Sequence, residues 1–218
     1  MTDPKWIDAP PGGVPVLLSQ PQEGNGPHIL MLHGWSGDEK VMWVLQSVLP
    51  ADSFTVAARG IYPLPTGGYH WSDSPESTRV GFDDFDPAVD ALRITLQALN
   101  VSHGFGSEPF LLMGFSQGAA LAFAMLNEGI EMDAIIALAG FVPLGGLQGL
   151  TSIPIFWGHG RRDDLVPIER ARSDVNRLLD SGVEVHFCEA EVGHKLGIEC
   201  THGLKQWIQG RILNERKG

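Results

Sequence analysis

Ser116 stands in the pentapeptide Gly114-Phe115-Ser116-Gln117-Gly118. The apolar run Phe110–Met113 precedes it, and the small-residue run Ala119–Leu126 follows. A strand that turns abruptly into a helix at such a pentapeptide presents its serine at the tip of the turn. Side chains at positions 114 and 118 would collide with the neighbouring strand and helix, which is why glycine suits both. The serine then lies at a helix N-terminus, where unpaired backbone N–H groups can receive an oxyanion. The bare pentapeptide recurs by chance in glycine-rich turns. The strand before it and the helix after it are what point to a nucleophile.

Serine needs a base to take its proton, and histidine does this near neutral pH. A carboxylate behind the imidazole fixes its tautomer and stabilises the imidazolium. Both types follow in the order serine, acid, histidine. The acid lies in Gly158-His159-Gly160-Arg161-Arg162-Asp163-Asp164, after the apolar run Ile153–Trp157. Asp163 and Asp164 compete for the role. A helix N-terminal charge is the other reading of such an aspartate. It suits Asp164 better, because that residue lies nearer Pro167 and Glu169, and Asp163 is preferred as the acid. The histidine is His194 in Glu191-Val192-Gly193-His194-Lys195, after the strand-like Val183–Cys188.

Acyl transfer also needs donors aimed at the developing oxyanion. The backbone N–H of Gln117, directly after the serine, is one candidate. The other is the N–H of Trp35, in the loop His33-Gly34-Trp35-Ser36-Gly37-Asp38. The Trp35 side chain would wall an acyl pocket or pack on its own loop. His33 is read as a structural residue bonded beneath the loop rather than a second base, and His159 likewise.

These residues require a scaffold that gathers loops at one edge. Strands are expected at Val14–Ser19, His28–Leu32, Phe54–Ala58, Phe110–Phe115, Asp133–Ala139, Ile153–Trp157 and Val183–Cys188. Helices are expected at Lys40–Leu49, Asp83–Asn100, Gln117–Glu128, Ile168–Ser181 and His202–Asn214, the second with Ala88, Ala91, Leu92, Leu96 and Leu99 at helical spacing. The strands are nearly continuous apolar runs, which argues for a mostly parallel sheet buried on both faces. Alternating strands and helices make this a three-layer α/β/α sandwich, one domain over 1–218 with no separate lid and a Pro- and Gly-rich segment at 1–27. Each candidate follows the carboxyl end of a strand, where open α/β sheets build their sites. The longest irregular stretch, 60–82, carries Tyr69 and Trp71 and is read either as a functional loop or as a cover for the core.

The 218 residues are 43% hydrophobic and 19% charged, within the range of soluble globular chains. A net charge of −11 disfavours nucleic acid and anionic membranes. The short basic tail, Arg211 to Lys217, is read as a solvated helix end. No apolar run suggests a membrane span, and the first residues lack a signal-peptide core, so the cytoplasm is the expected location. In that setting Cys188 and Cys200 are expected as free thiols. No recognised metal-ligand spacing appears.

The blocks Leu32-His-Gly-Trp-Ser-Gly-Asp38, Ala58-Arg-Gly60, Gly114-Phe-Ser-Gln-Gly-Ala119, Gly158-His-Gly-Arg-Arg-Asp163 and Gly193-His194 resemble the phospholipase/carboxylesterase family of α/β-hydrolases. That family includes small bacterial carboxylesterases and acyl-protein thioesterases, and the likeness extends over about residues 28–210. It implies an α/β-hydrolase fold and hydrolysis of small-molecule esters or thioesters without a cofactor. It assigns the triad to Ser116, Asp163 and His194, and the oxyanion donors to Trp35 and Gln117. The chain departs from the family pattern at Trp35-Ser36-Gly37, at Trp71-Ser72 and at Asp164, where the family often has Leu-Gly, Trp-Phe and proline. The expected function is a serine carboxylesterase. A thioesterase or lysophospholipase with a longer acyl slot is the nearest alternative, and a non-catalytic binding protein on the same scaffold the more distant one. The sequence assigns no oligomeric state.

Overall fold

A computed structural model describes residues 3–21, 26–72, 79–106, 110–145 and 153–215. Thr2, Asp73 and the last residues of the basic tail, Arg216 and Lys217, lie outside the described residues. In chain order the strands are β1 (Lys5–Ile7), β2 (Val16–Ser19), β3 (His28–Leu32), β4 (Phe54–Ala58), β5 (Tyr62–Pro63), β6 (Tyr69–His70), β7 (Phe110–Phe115), β8 (Ala134–Leu138), β9 (Ile155–Gly160) and β10 (Val185–Ala190). The α-helices are α1 (Asp86–His103), α2 (Gln117–Asn127), α3 (Ile168–Asp180) and α4 (Ile198–Glu215).

Every residue of β3, β4 and β8 is buried, as continuous apolar runs require of strands covered on both faces. Side chains alternate across a strand, and β3 shows how the two faces divide. Leu30 and Leu32 join the core under α1, α2 and α3, with Leu92, Phe123 and Val175. Ile29 and Met31 join the opposite core, with Met42, Leu204 and Ile208. The helices therefore sandwich one sheet. Its strand order is β1-β2-β4-β3-β7-β8-β9-β10, parallel from β4 to β10 and antiparallel at the β1 and β2 edge. Parallel register brings the ends of β3, β7, β9 and β10 to one edge, with Leu32 opposite Gly114 and Ala190 opposite Gly160.

Beyond shifts of two to four residues at the ends of α1, α4, β2, β9 and β10, four features differ from expectation. The segment at 41–48 is a 3₁₀ helix, Val41–Val48, rather than an α-helix. β1 lies within the segment expected to hold one strand, and pairs Lys5–Ile7 with Leu18–Val16. The stretch 60–82 is not wholly irregular: β5 and β6 form a hairpin, and Tyr69 bridges to Gly37. The cysteines are not free thiols, because Cys188 of β10 and Cys200 of α4 form a disulfide with Cα atoms 5.6 Å apart. α4 folds back against β10, which brings together two residues only 12 apart in sequence.

Candidate active site

The turn between β7 and α2 places Ser116 at φ 53° and ψ −116°, a backbone that a side chain adopts only when its surroundings impose it. Two contacts impose it. A Cβ on Gly114 would lie 2.3 Å from the Gly118 carbonyl oxygen, and one on Gly118 would lie 2.2 Å from that of Leu32. The Ser116 N–H donates to the Leu138 carbonyl at 2.8 Å, which ties the turn to β8. The serine therefore stands where strand and helix cross with no space for methyl groups at either neighbour.

Asp163 follows β9 and is 6% exposed. Its Oδ1 accepts the N–H groups of Leu165 and Val166 at 3.0 and 2.9 Å. Its Oδ2 lies 2.7 Å from Nδ1 of His194, beyond β10. A carboxylate can only accept, so the neutral imidazole carries its proton on Nδ1 and leaves Nε2 bare. Asp164 is exposed and takes no part in this contact. The His194 ring lies 5.0 Å from that of Phe115, next to the serine, in an edge-on arrangement. Among the described residues no hydrogen bond joins the Ser116 hydroxyl to His194.

The loop after β3 passes over the serine: a Cβ on Gly34 would lie 3.1 Å from Cβ of Ser116. The Gly34 carbonyl accepts from the Gly37 N–H at 3.0 Å and from His33 Nδ1 at 2.7 Å. In a trans peptide the next N–H points the opposite way, so these bonds also orient the N–H of Trp35. Among the described residues neither that N–H nor the N–H of Gln117 donates to a backbone carbonyl in the turns and loops. The Trp35 side chain is 42% exposed.

Two further histidines are buried beside the site. His33 Nε2 accepts the Gly60 N–H at 2.9 Å, which puts its proton on Nδ1, facing the Gly34 carbonyl. His159 Nδ1 accepts the Trp157 indole N–H at 3.3 Å, and its Nε2–H donates to the Val166 carbonyl at 2.8 Å. Burial lowers the pKa of both below the usual histidine value and keeps both rings neutral. Both ring nitrogens of each histidine are thus engaged by neighbouring protein groups.

Several contributors were not legible in the sequence. Arg59 makes a two-point pair with the buried Glu39 carboxylate at 2.8 and 2.9 Å, and its guanidinium lies over the rings of Trp6 and Tyr69. Burial is the largest single influence and works to raise the Glu39 pKa, but the Arg59 hydrogen bonds, a backbone hydrogen bond and the positive charges of Arg59 and Lys40 together hold the carboxyl below its usual value. An apolar cavity of about 380 Å³ opens between the 3₁₀ helix and the start of α4, lined by Val41, Leu45, Val48, Phe115 and Leu196 among others. Phe115 forms a wall of this cavity and also touches His194, so the cavity adjoins the site. Its only sequence signal was the cluster of apolar residues at 41–49, which also reads as an ordinary buried helix face.

The fold has close counterparts. A carboxylesterase from Mesorhizobium loti superposes with a TM-score of 0.81 at 21% identity, covering 96% of this chain and 100% of that one. The Bacillus cereus carboxylesterase gives a TM-score of 0.75 at 19% identity, over 89% and 93%. Acyl-protein thioesterase 1 of Saccharomyces cerevisiae is 34% identical over 129 residues, 54% of this chain and 55% of that protein. The match thus spans about half the length of the yeast relative. Acyl-protein thioesterase 1 of Cryptococcus neoformans is 25% identical over 191 residues, 75% of this chain and 77% of that protein. Residues 18–210 match the phospholipase/carboxylesterase family model across the strands, loops and helices just described, and the chain belongs to that family of α/β-hydrolases.

Proposed function

We propose that this family member is a serine carboxylesterase, one α/β-hydrolase domain working through an acyl-enzyme on Ser116. The observation that carries the reading is the 2.7 Å bond between His194 Nδ1 and the buried Asp163, beside the strand that bears Ser116. In the proposed reaction His194 Nε2 takes the Ser116 proton as Oγ attacks the ester carbonyl. The N–H groups of Trp35 and Gln117 receive the oxyanion. His194 returns the proton to the departing alcohol, leaving the acyl group on Oγ. Water then attacks the acyl-enzyme, again giving its proton to His194, and the carboxylic acid leaves with Ser116 restored. Asp163 fixes the tautomer of His194 and stabilises the imidazolium throughout.

The cavity beside Phe115 supports an aliphatic acyl group. Its volume of about 380 Å³ lies towards the lower end of ligand pockets, roughly 300–1,000 Å³. A second reading, thioester hydrolysis with the same residues, is favoured by the yeast relative, which is named an acyl-protein thioesterase. The two readings differ in leaving group, and a matched series of esters and thioesters separates them.

The test of the nucleophile is intact-mass analysis after treatment with a fluorophosphonate, on wild type and Ser116→Ala. One adduct on wild type and none on the variant is expected. No adduct on wild type, with the protein folded, refutes the esterase reading.

A further inference from the structure

Trp71 is fully buried, and it bonds towards both sides of the serine. Its indole N–H donates to the His33 carbonyl at 2.8 Å. Its backbone N–H donates to Oε1 of Gln117 at 2.9 Å. The other end of that side-chain amide donates to Ser72 Oγ at 3.0 Å. The His33 and Trp71 rings lie 4.9 Å apart. His33 and Ser72 are fully buried and Gln117 is 3% exposed, so the whole chain of bonds is shielded from water.

The path has chemical direction. The Gly60 N–H occupies Nε2 of His33, which forces the ring proton onto Nδ1 and towards the Gly34 carbonyl. That carbonyl belongs to the peptide whose N–H is that of Trp35. At its other end the path grips the side chain of Gln117, the residue whose own N–H is the second oxyanion donor. We propose that His33 and Trp71 are positioning residues that hold the Trp35 and Gln117 donors at one fixed separation. The inference rests on the esterase reading above. The 60–72 segment is then part of the apparatus for transition-state stabilisation, not only a cover for the core. A buried polar network whose members are all satisfied is stiff, and a donor displaced by a fraction of an ångström aims away from the oxyanion.

The experiment compares His33→Gln, His33→Asn and Trp71→Phe with wild type. Asparagine carries its amide near the position of Nδ1 and keeps a donor for the Gly34 carbonyl. Glutamine reaches the position of Nε2, keeps a partner for Gly60 and loses that donor. Each variant lacks one buried bond, so urea midpoints of the two His33 variants should be similar. With a p-nitrophenyl ester, kcat should fall about 10- to 100-fold for His33→Gln and Trp71→Phe at nearly constant KM. His33→Asn should stay within about threefold of wild type, one donor having been restored. The inhibition constant of a trifluoromethyl ketone, which forms a tetrahedral adduct with a serine, should rise in parallel with the loss of kcat. Unchanged kcat in folded His33→Gln and Trp71→Phe overturns the proposal. Equal losses in both His33 variants, tracking stability, also overturn it by reducing His33 to a structural residue. Absence of wild-type turnover together with absence of a fluorophosphonate adduct is a different outcome. It removes the esterase reading itself, and the brace with it.

Discussion

Gly118 and Leu32 meet with no space between them: a Cβ on the glycine would lie 2.2 Å from the leucine carbonyl oxygen. The contact welds the start of α2 to the end of β3, and so sets the distance between the serine turn and the loop that carries Trp35. Neither backbone can yield without separating helix from sheet. Gly118→Ala should destabilise the fold by about 3 kcal/mol or more, seen as a lower urea midpoint or loss of soluble protein. Gly203→Ala is the contrasting case. Its Cβ would meet only Phe156 at 3.9 Å, inside α4, and stability should rise by about 0.5–1 kcal/mol. Equal effects of the two changes would contradict the packing described.

Asp163→Asn should lower kcat on a p-nitrophenyl ester by about 10³- to 10⁴-fold. The amide can donate to Nδ1 and so favours the wrong tautomer of His194. Asp164→Asn should remain near wild type, because that side chain is exposed. A crippled Asp164→Asn with an active Asp163→Asn would reverse the assignment of the acid.

The disulfide closes a loop that contains His194. Thiol labelling of the oxidised, denatured chain should find no free cysteine. Cys188→Ser/Cys200→Ser should be less stable by about 3 kcal/mol, the scale of loop-closure entropy for a crosslink of this span, read from urea unfolding. Unfolding midpoints that do not change on reduction would show that the bond contributes nothing to the fold.

Acid should weaken the fold through His33 and His159. Burial lowers both pKa values in the folded state from 6.5. Below about pH 6.5 the unfolded chain takes up protons that the folded chain refuses. Stability is therefore complete above that pH and declines as pH falls towards the folded pKa values. Each histidine contributes up to about 1.4 kcal/mol per pH unit in that window. His159→Gln, which keeps a donor for the Val166 carbonyl, should flatten the decline in urea midpoints. An unchanged slope would mean that His159 is charged in the folded protein.

Leu45→Trp places a large ring in the cavity beside Phe115. Activity on octanoyl esters should fall at least tenfold relative to acetyl esters, since each methylene excluded from an apolar site forfeits about 0.8 kcal/mol. A proportional loss on both esters would place acyl binding elsewhere.

Local rules in the sequence carried much of this molecule. Apolar runs with no alternation specified doubly covered parallel strands, because only such strands bury every side chain. The bounds of β7 were read to the residue. The glycines at 114 and 118 specified the turn at Ser116, because a Cβ at either meets backbone. The family resemblance, more than any local rule, favoured Asp163 over Asp164 as the acid, and the structure pairs Asp163 with His194. What the sequence did not contain were contacts between segments distant in the chain. Trp71 and Gln117 are 46 residues apart, and Arg59 and Glu39 are 20 apart. No periodicity links such pairs. The two cysteines were misread because an argument from cellular redox conditions says nothing about where α4 returns against β10. Propensity and pattern act over a few residues, whereas the hydrogen-bonded bracing of the loops and the cavity beside Phe115 exist only once the sheet has brought distant segments together.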